Sequence, residues 1–86
     1  MPTISTFYGI VIQMFYGDHA PPHIHVSYSG HKAVVDFQKM EITQGSLPRR
    51  AANLVLDWVE LHQDELIEDW ELCSNNQKPN PIAPLE

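Results

Sequence analysis

The chain has 86 residues, 43% of them hydrophobic and 19% charged, with a formal net charge of −6 and a single cysteine. That length allows one domain with a modest core and excludes a second, and the composition is that of an ordinary soluble globular protein. Five Lys and Arg against eleven Asp and Glu exclude a general affinity for a phosphate backbone, which depends on cations that displace counterions, so no direct nucleic-acid binding is expected.

The N-terminal stretch MPTISTFYGIVIQMFYGD has neither a basic leader nor a small-residue cleavage site, and no apolar run approaches the ~18 residues of a membrane span. A cytoplasmic location with no membrane association is the expectation. Cys73 has no second cysteine to pair with, which agrees with a reducing compartment, and it is read as a half-buried helix residue. From Phe7 to Tyr16 the aromatic and β-branched residues predict a first strand. Its two faces, Ile10-Ile12-Met14 and Val11-Gln13-Phe15, are both largely apolar, so both should be at least partly covered.

Asp18 to Pro22 reads as a loop, because two adjacent prolines remove backbone donors and push their neighbours out of the helical region. HIHVSYSGHKAVVDF then alternates on both sides of a Ser-Gly-His tip, which predicts a hairpin turning at Gly30, through either Ser29-Gly30 or Gly30-His31. Either turn places Ile24, Val26 and Tyr28 on one core-facing side with Ala33, Val35 and Phe37. KMEIT, before Gly45, is a candidate fourth strand. Ser46 is a natural N-cap and Pro48 suits a first turn, so a helix is expected to start at Leu47 or Pro48. Apolar positions keep a helical spacing from Ala51 to Cys73. One straight helix of that length would be roughly 40 Å long, so a bend or break near Gln63 or an overhanging end is expected. SNNQKPNPIAPLE is polar and proline-interrupted, which makes residues 75–86 a mobile tail after a globular unit of residues 1–74, and Leu85-Glu86 is the kind of pair an expression vector leaves behind. Strands followed by helix predict an α+β fold: an antiparallel sheet of three to four strands packed against one long C-terminal helix, bent or broken, or a helix pair.

Within the hairpin, His23 and His25 project from one side of a strand, a usable metal-ligand spacing. Asp36 lies across from His23 under the Ser29-Gly30 turn and from His25 under the alternative, so a carboxylate joins the pair in either register. Two imidazoles and one carboxylate suit Zn²⁺, or Fe²⁺ with open positions. His19 becomes a fourth ligand only if the chain turns back, for instance at a cis proline. The competing reading makes His23, His25 and Asp36 the polar side of a hairpin, with Asp18 and His19 bonding loop amides, or makes the histidines a pH-sensing cluster. Elsewhere, Trp58 is expected in the core, and Trp70 either there or at a partner surface. Arg49 and Arg50 sit in the first helical turn, where the dipole disfavours cations, so they are solvated or meet an anion or an acidic partner. The acidic run that includes Glu68 is either a wet helix face or a cover for a basic partner.

In FYGIVIQMFYGDHAPPHIHVSY and GSLPRRAANLVLDWVELHQDELIEDW the chain resembles the bacterial domain-of-unknown-function family number 4160. The resemblance rests on the aromatic-glycine start, the Asp-His pair, the double proline, the His-x-His, and the Leu-Pro, Trp, His and Glu-Leu positions of the helix, covering roughly Phe7 to Trp70. It implies a small bacterial protein whose gene often lies beside another small gene, in modules suspected of toxin–antitoxin character, and it implies no established reaction. Two functions follow as expectations. One is a small cytosolic interaction or regulatory module with a protein partner encoded nearby, and a homodimer among its states. The other is a metal-dependent enzyme of hydrolase type built on the His/Asp cluster.

Overall fold

A computed structural model describes residues 2–86 and divides them into five strands followed by two helices. The strands β1 (Thr3–Phe7), β2 (Ile10–Gln13), β3 (His23–Tyr28), β4 (His31–Asp36) and β5 (Glu41–Gly45) form one antiparallel sheet in sequence order. The helices α1 (Arg49–Leu61) and α2 (Gln63–Ser74) complete an α+β fold whose sheet is longer than the three to four strands expected. The extra strand comes from the aromatic run. Phe7 to Tyr16 is not one strand, because Tyr8 (φ 50°) and Gly9 (φ 79°) close a two-residue turn that pairs Phe7 with Ile10. Positive φ at both central residues matches the twist of the flanking strands, and β1 before Phe7 then becomes an edge strand.

The second hairpin turns at Ser29-Gly30, where φ is 45° and 83°, with Tyr28 opposite His31 and His23 opposite Asp36. Ile24, Val26, Ala33, Val35 and Phe37 are buried as their parity requires, and Tyr28 is half-buried at the rim. β5 starts later than KMEIT suggests, since Met40 (φ 57°) belongs to the preceding turn. Its last residue, Gly45 (φ 72°), lies beside a register shift at Val34/Val35 and rides directly over the Lys32 carbonyl.

Ser46 does not cap α1. Its N–H donates to the Lys32 carbonyl, Pro48 occupies the N-cap position, and the first helical bond runs from the Ala52 N–H to the Pro48 carbonyl at 2.9 Å. The helical stretch breaks at His62 (φ −121°, ψ 28°), one residue before Gln63, with no Gly or Pro involved. Two contacts and a charge preference favour the break: His62 Nδ1 lies 2.6 Å from Glu65 Oε1, the Gln63 amide donates to the Phe37 carbonyl at the end of the sheet, and Asp64 and Glu65 suit a new helix N-terminus. α2 ends at Asn75, with Asn76 (φ 57°) in the left-handed conformation of a helix C-terminus.

The helices cover one face of the sheet. Ala51, Val55, Trp58, Val59, Leu66 and Cys73 close over Ile4, Phe7, Ile10, Ile12, Met14, Ile24 and Val35, with the Trp58 and Phe7 rings 5.6 Å apart. Cys73 is fully rather than half buried, and burial together with the nearby Asp69 raises its thiol pKa, so it stays protonated. Several residues between 75 and 86 contact the rest of the fold. The Ile82 N–H donates to the Ile4 carbonyl at 2.8 Å and its side chain enters the core, the Trp58 indole donates to the Ala83 carbonyl, and Leu85 packs on the cluster. The Asn80 N–H donates to Oδ1 of Asp69, a carboxylate whose Oδ2 is buried with no partner among the described residues. No helix among the described residues is long and apolar enough to cross a membrane.

Candidate metal centre

The loop from Gly17 to Pro22 determines which groups meet the histidines. Gly17 (φ 60°) ends the extended segment, and its N–H donates to the Cys73 carbonyl at 3.1 Å, tying the loop to the last turn of α2. The Ala20–Pro21 peptide is cis, and the loop doubles back so that Asp18 faces the start of β3.

Asp18 Oδ2 lies 2.8 Å from His23 Nε2 and 3.1 Å from His25 Nε2, and these three side chains bring ligating atoms within 4.8 Å of one another. His23 Nδ1 is 2.7 Å from the Pro21 carbonyl oxygen. A carbonyl only accepts, so Nδ1 carries the proton, and the Nε2 contact with a carboxylate requires either a second proton or a cation between them. A histidine whose far nitrogen is held by a backbone carbonyl is the usual arrangement of a metal ligand.

The rings are held by packing. His25 stacks on Phe15, with centroids 4.0 Å apart and planes 15° apart, and His23 lies between His25 at 5.1 Å and Trp70 at 5.2 Å. The His23 and Asp18 side chains are 7% and 15% exposed, so their contacts are only lightly screened by solvent. Burial alone would raise the Asp18 carboxyl, but hydrogen bonds from His25, the His19 N–H and His23, together with the charge of His23, outweigh it and bring it from 3.8 to about 2.

Asp36 is not the carboxylate of this group. It stands across from His23, as the Ser29-Gly30 turn requires, but its Oδ1 accepts the N–H groups of Gln38 at 3.0 Å and Lys39 at 2.9 Å and so holds the turn into β5. Asp18, assigned to loop amides from the sequence, does bond the His19 N–H through Oδ1 and uses Oδ2 for both imidazoles. One signal was available: it is the only acidic residue in GDHAPPHIHVSY. His19 does come back, its ring 5.4 Å from that of His23 and its Nδ1 2.9 Å from Asp18 Oδ1, but its side chain is 83% exposed and it lies outside the tight group. Trp70 is half-buried, with its ring against those of His23 and Phe37. Arg49, Arg50 and Glu68 are exposed, and no ion pair involves them among the described residues.

A recess of about 240 Å³ opens beside the group, lined by His19, Pro21, His23, His25, Asp36 and Gln44.

No curated protein and no solved structure matches the chain. Residues 9–71, well over half of the chain and including all three members of the group, match the family described as Domain of unknown function (DUF4160). By that match, the chain belongs to the DUF4160 family.

Proposed function

We propose that the protein is a metal-dependent enzyme of hydrolase type, with Asp18, His23 and His25 holding one Fe²⁺ or Zn²⁺. The observation that carries this reading is the Pro21 carbonyl on His23 Nδ1, which aims Nε2 at a carboxylate oxygen already shared with His25. Asp18, His23 and His25 would hold the ion beside the recess, and the chemistry it would supply when bound is activation of water for hydrolysis. Asp36 stays outside the first set of ligands and stiffens the facing turn, and Trp70 and Phe15 keep the imidazoles in place.

The test is a titration of metal-stripped protein with each ion at about pH 7.5 and pH 5.5, followed by heat release and the histidine NMR signals, since metal capture requires neutral imidazoles. The expected result is binding tighter than about 1 μM at the higher pH, weakened at least about tenfold in Asp18→Asn, His23→Ala and His25→Ala. Weak binding, or binding indifferent to all three substitutions, would reduce the cluster to an imidazolium–carboxylate pair that shapes the loop.

A second reading is an interaction or regulatory module in the cytoplasm, paired with a protein encoded nearby in a toxin–antitoxin-like arrangement or with a second copy of itself. Tyr8 at 60% and Leu61 at 68% exposure support it, as large apolar side chains left at the surface. Co-purification with the products of adjacent genes tests it, and a strictly solitary monomer counts against it.

A further inference from the structure

The face of the sheet turned away from the helices carries a groove of about 470 Å³ that begins at the metal centre. His25, Val34 and Gln44 line both the groove and the recess beside the metal ligands, so the two adjoin at these residues. Along the groove Phe15 and Val34 provide an apolar floor, Gln13, Ser27 and Gln44 provide amide and hydroxyl groups, and Lys32 stands at the far end. Lys32 pairs with Ser27 across β3 and β4, two strand positions from the His25–Val34 pair, and is the only cationic side chain in the lining. It has no acidic partner among the described residues. Gly45, at φ 72°, also lines the groove and lies close over the Lys32 carbonyl.

We propose that this groove is the ligand site of the metal centre and that it takes a small organic dianion, with one acid group on the metal and the other on Lys32; the proposal rests on the metal reading above. Charge complementarity selects the occupant. A divalent ion held by Asp18 and the two histidines would take an anionic oxygen at one end, Lys32 is the cation of the groove lining at the other, and the acidic side chain of the recess, Asp36, already accepts the Gln38 and Lys39 N–H groups. The span also selects it. Two strand positions cover about 7 Å, and the ligand atoms of His23 lie further along β3, so the acid groups stand roughly 7 to 10 Å apart. An unbranched aliphatic body fits the Phe15–Val34 floor, which makes dicarboxylates the simplest members of the class.

The experiment uses ¹⁵N-labelled protein and begins with Zn²⁺ uptake in the absence of any acid. The zinc-loaded protein is then titrated with glutarate, adipate and suberate, and with butyrate as the single-acid control, while the amides of Ser27, Lys32 and Gln44 are followed. One dicarboxylate length is expected to bind at least about tenfold tighter than butyrate and to shift all three amides. Lys32→Met should lose about tenfold of that affinity with Zn²⁺ uptake unchanged, and Lys32→Arg should retain it. If Zn²⁺ binds but no dicarboxylate moves the groove amides, or Lys32→Met binds the acid as tightly as the native chain, the groove proposal is overturned while the metal centre stands. Failure of the first step, with no Zn²⁺ uptake, overturns the metal reading and the groove proposal with it.

Discussion

Substituting Asp18 by Asn removes the one charge on which both imidazoles converge and keeps the shape of the side chain. The native carboxyl titrates at about 2 instead of 3.8, and each unit of difference corresponds to about 1.4 kcal/mol, so its ionised form contributes about 2 kcal/mol to folding in metal-stripped protein. The pKa is depressed in the folded state. That contribution is therefore complete above the unfolded value near 4 and disappears as pH falls toward 2, where both states hold the proton. For a chain of this length 2 kcal/mol is about 10 °C in melting temperature. Thermal or urea denaturation of native and Asp18→Asn protein, both stripped of metal, should show that gap at neutral pH and its closure between about pH 4 and pH 2. Titrations of groups that do not touch Asp18 cancel in the difference. A gap of the same size at every pH, or none at neutral pH, would show that Asp18 is not held by the histidines as an ionised partner.

Asp69 should act with the opposite sign. Burial, with Glu68 and Glu65 nearby and against the Asn80 hydrogen bond, raises its pKa, so the folded state binds the proton first and stability rises as pH falls through that raised value toward 3.8. Asp69→Asn keeps an acceptor for the Asn80 N–H and should remove this acid-side gain while stabilising the protein at neutral pH by about 1 kcal/mol; pH-resolved denaturation checks both parts. Gly45→Ala should cost about 3 kcal/mol or more, because its Cβ would overlap the Lys32 carbonyl oxygen and lie 3.0 Å from Ala33 Cα at a φ already unfavourable for Ala. A melting temperature within a few degrees of native would contradict that close approach. At Gly30 an added Cβ meets nothing within 4 Å among the described residues, so the φ of 83° is what opposes Gly30→Val, and a cost of about 1–2 kcal/mol, smaller than at Gly45, is expected in the same assay.

Features set by local rules were legible in the sequence, and those set by distant contacts were not. The hairpin could be read because alternation and a Gly tip are enough to fix parity, and the structure resolves only the choice between two turns, in favour of Ser29-Gly30. The Tyr8-Gly9 turn was hidden because its residues belong to the aromatic run that signals a strand, and Tyr at φ 50° departs from local preference. The length of the helical stretch implied an interruption, yet its place at His62 depends on Gln63 reaching the Phe37 carbonyl, 26 positions away in sequence. Ile82 is one apolar residue among prolines and amides, with no periodicity to announce that Ile4 and the core would receive it.

The two carboxylates near the histidines show why parity alone does not identify a metal ligand. Asp36 satisfies the register argument in full, but it sits one residue before a turn whose amides at Gln38 and Lys39 point into the chain and must be bonded. Those local donors take its Oδ1, and with it the freedom to turn toward the imidazoles. Asp18 fails every strand-based argument because it lies upstream of two prolines that remove donors from the loop. The prolines remove the donors at positions 21 and 22, and of the N–H groups that remain in the loop the His19 N–H bonds the carboxylate, through Oδ1, so Oδ2 is free for Nε2 of His23 and of His25. Competition for lone pairs decides between them, and a carboxylate in a proline-poor turn is outbid by backbone amides where one in a proline-rich loop is not. Moving a donor into the loop should therefore weaken the centre: Pro22→Ala restores one N–H four residues from Asp18, and the expected outcome is a metal affinity reduced by a few-fold in the same calorimetric titration. An unchanged affinity would mean that the loop's shape, and not its lack of donors, holds Asp18 on the histidines.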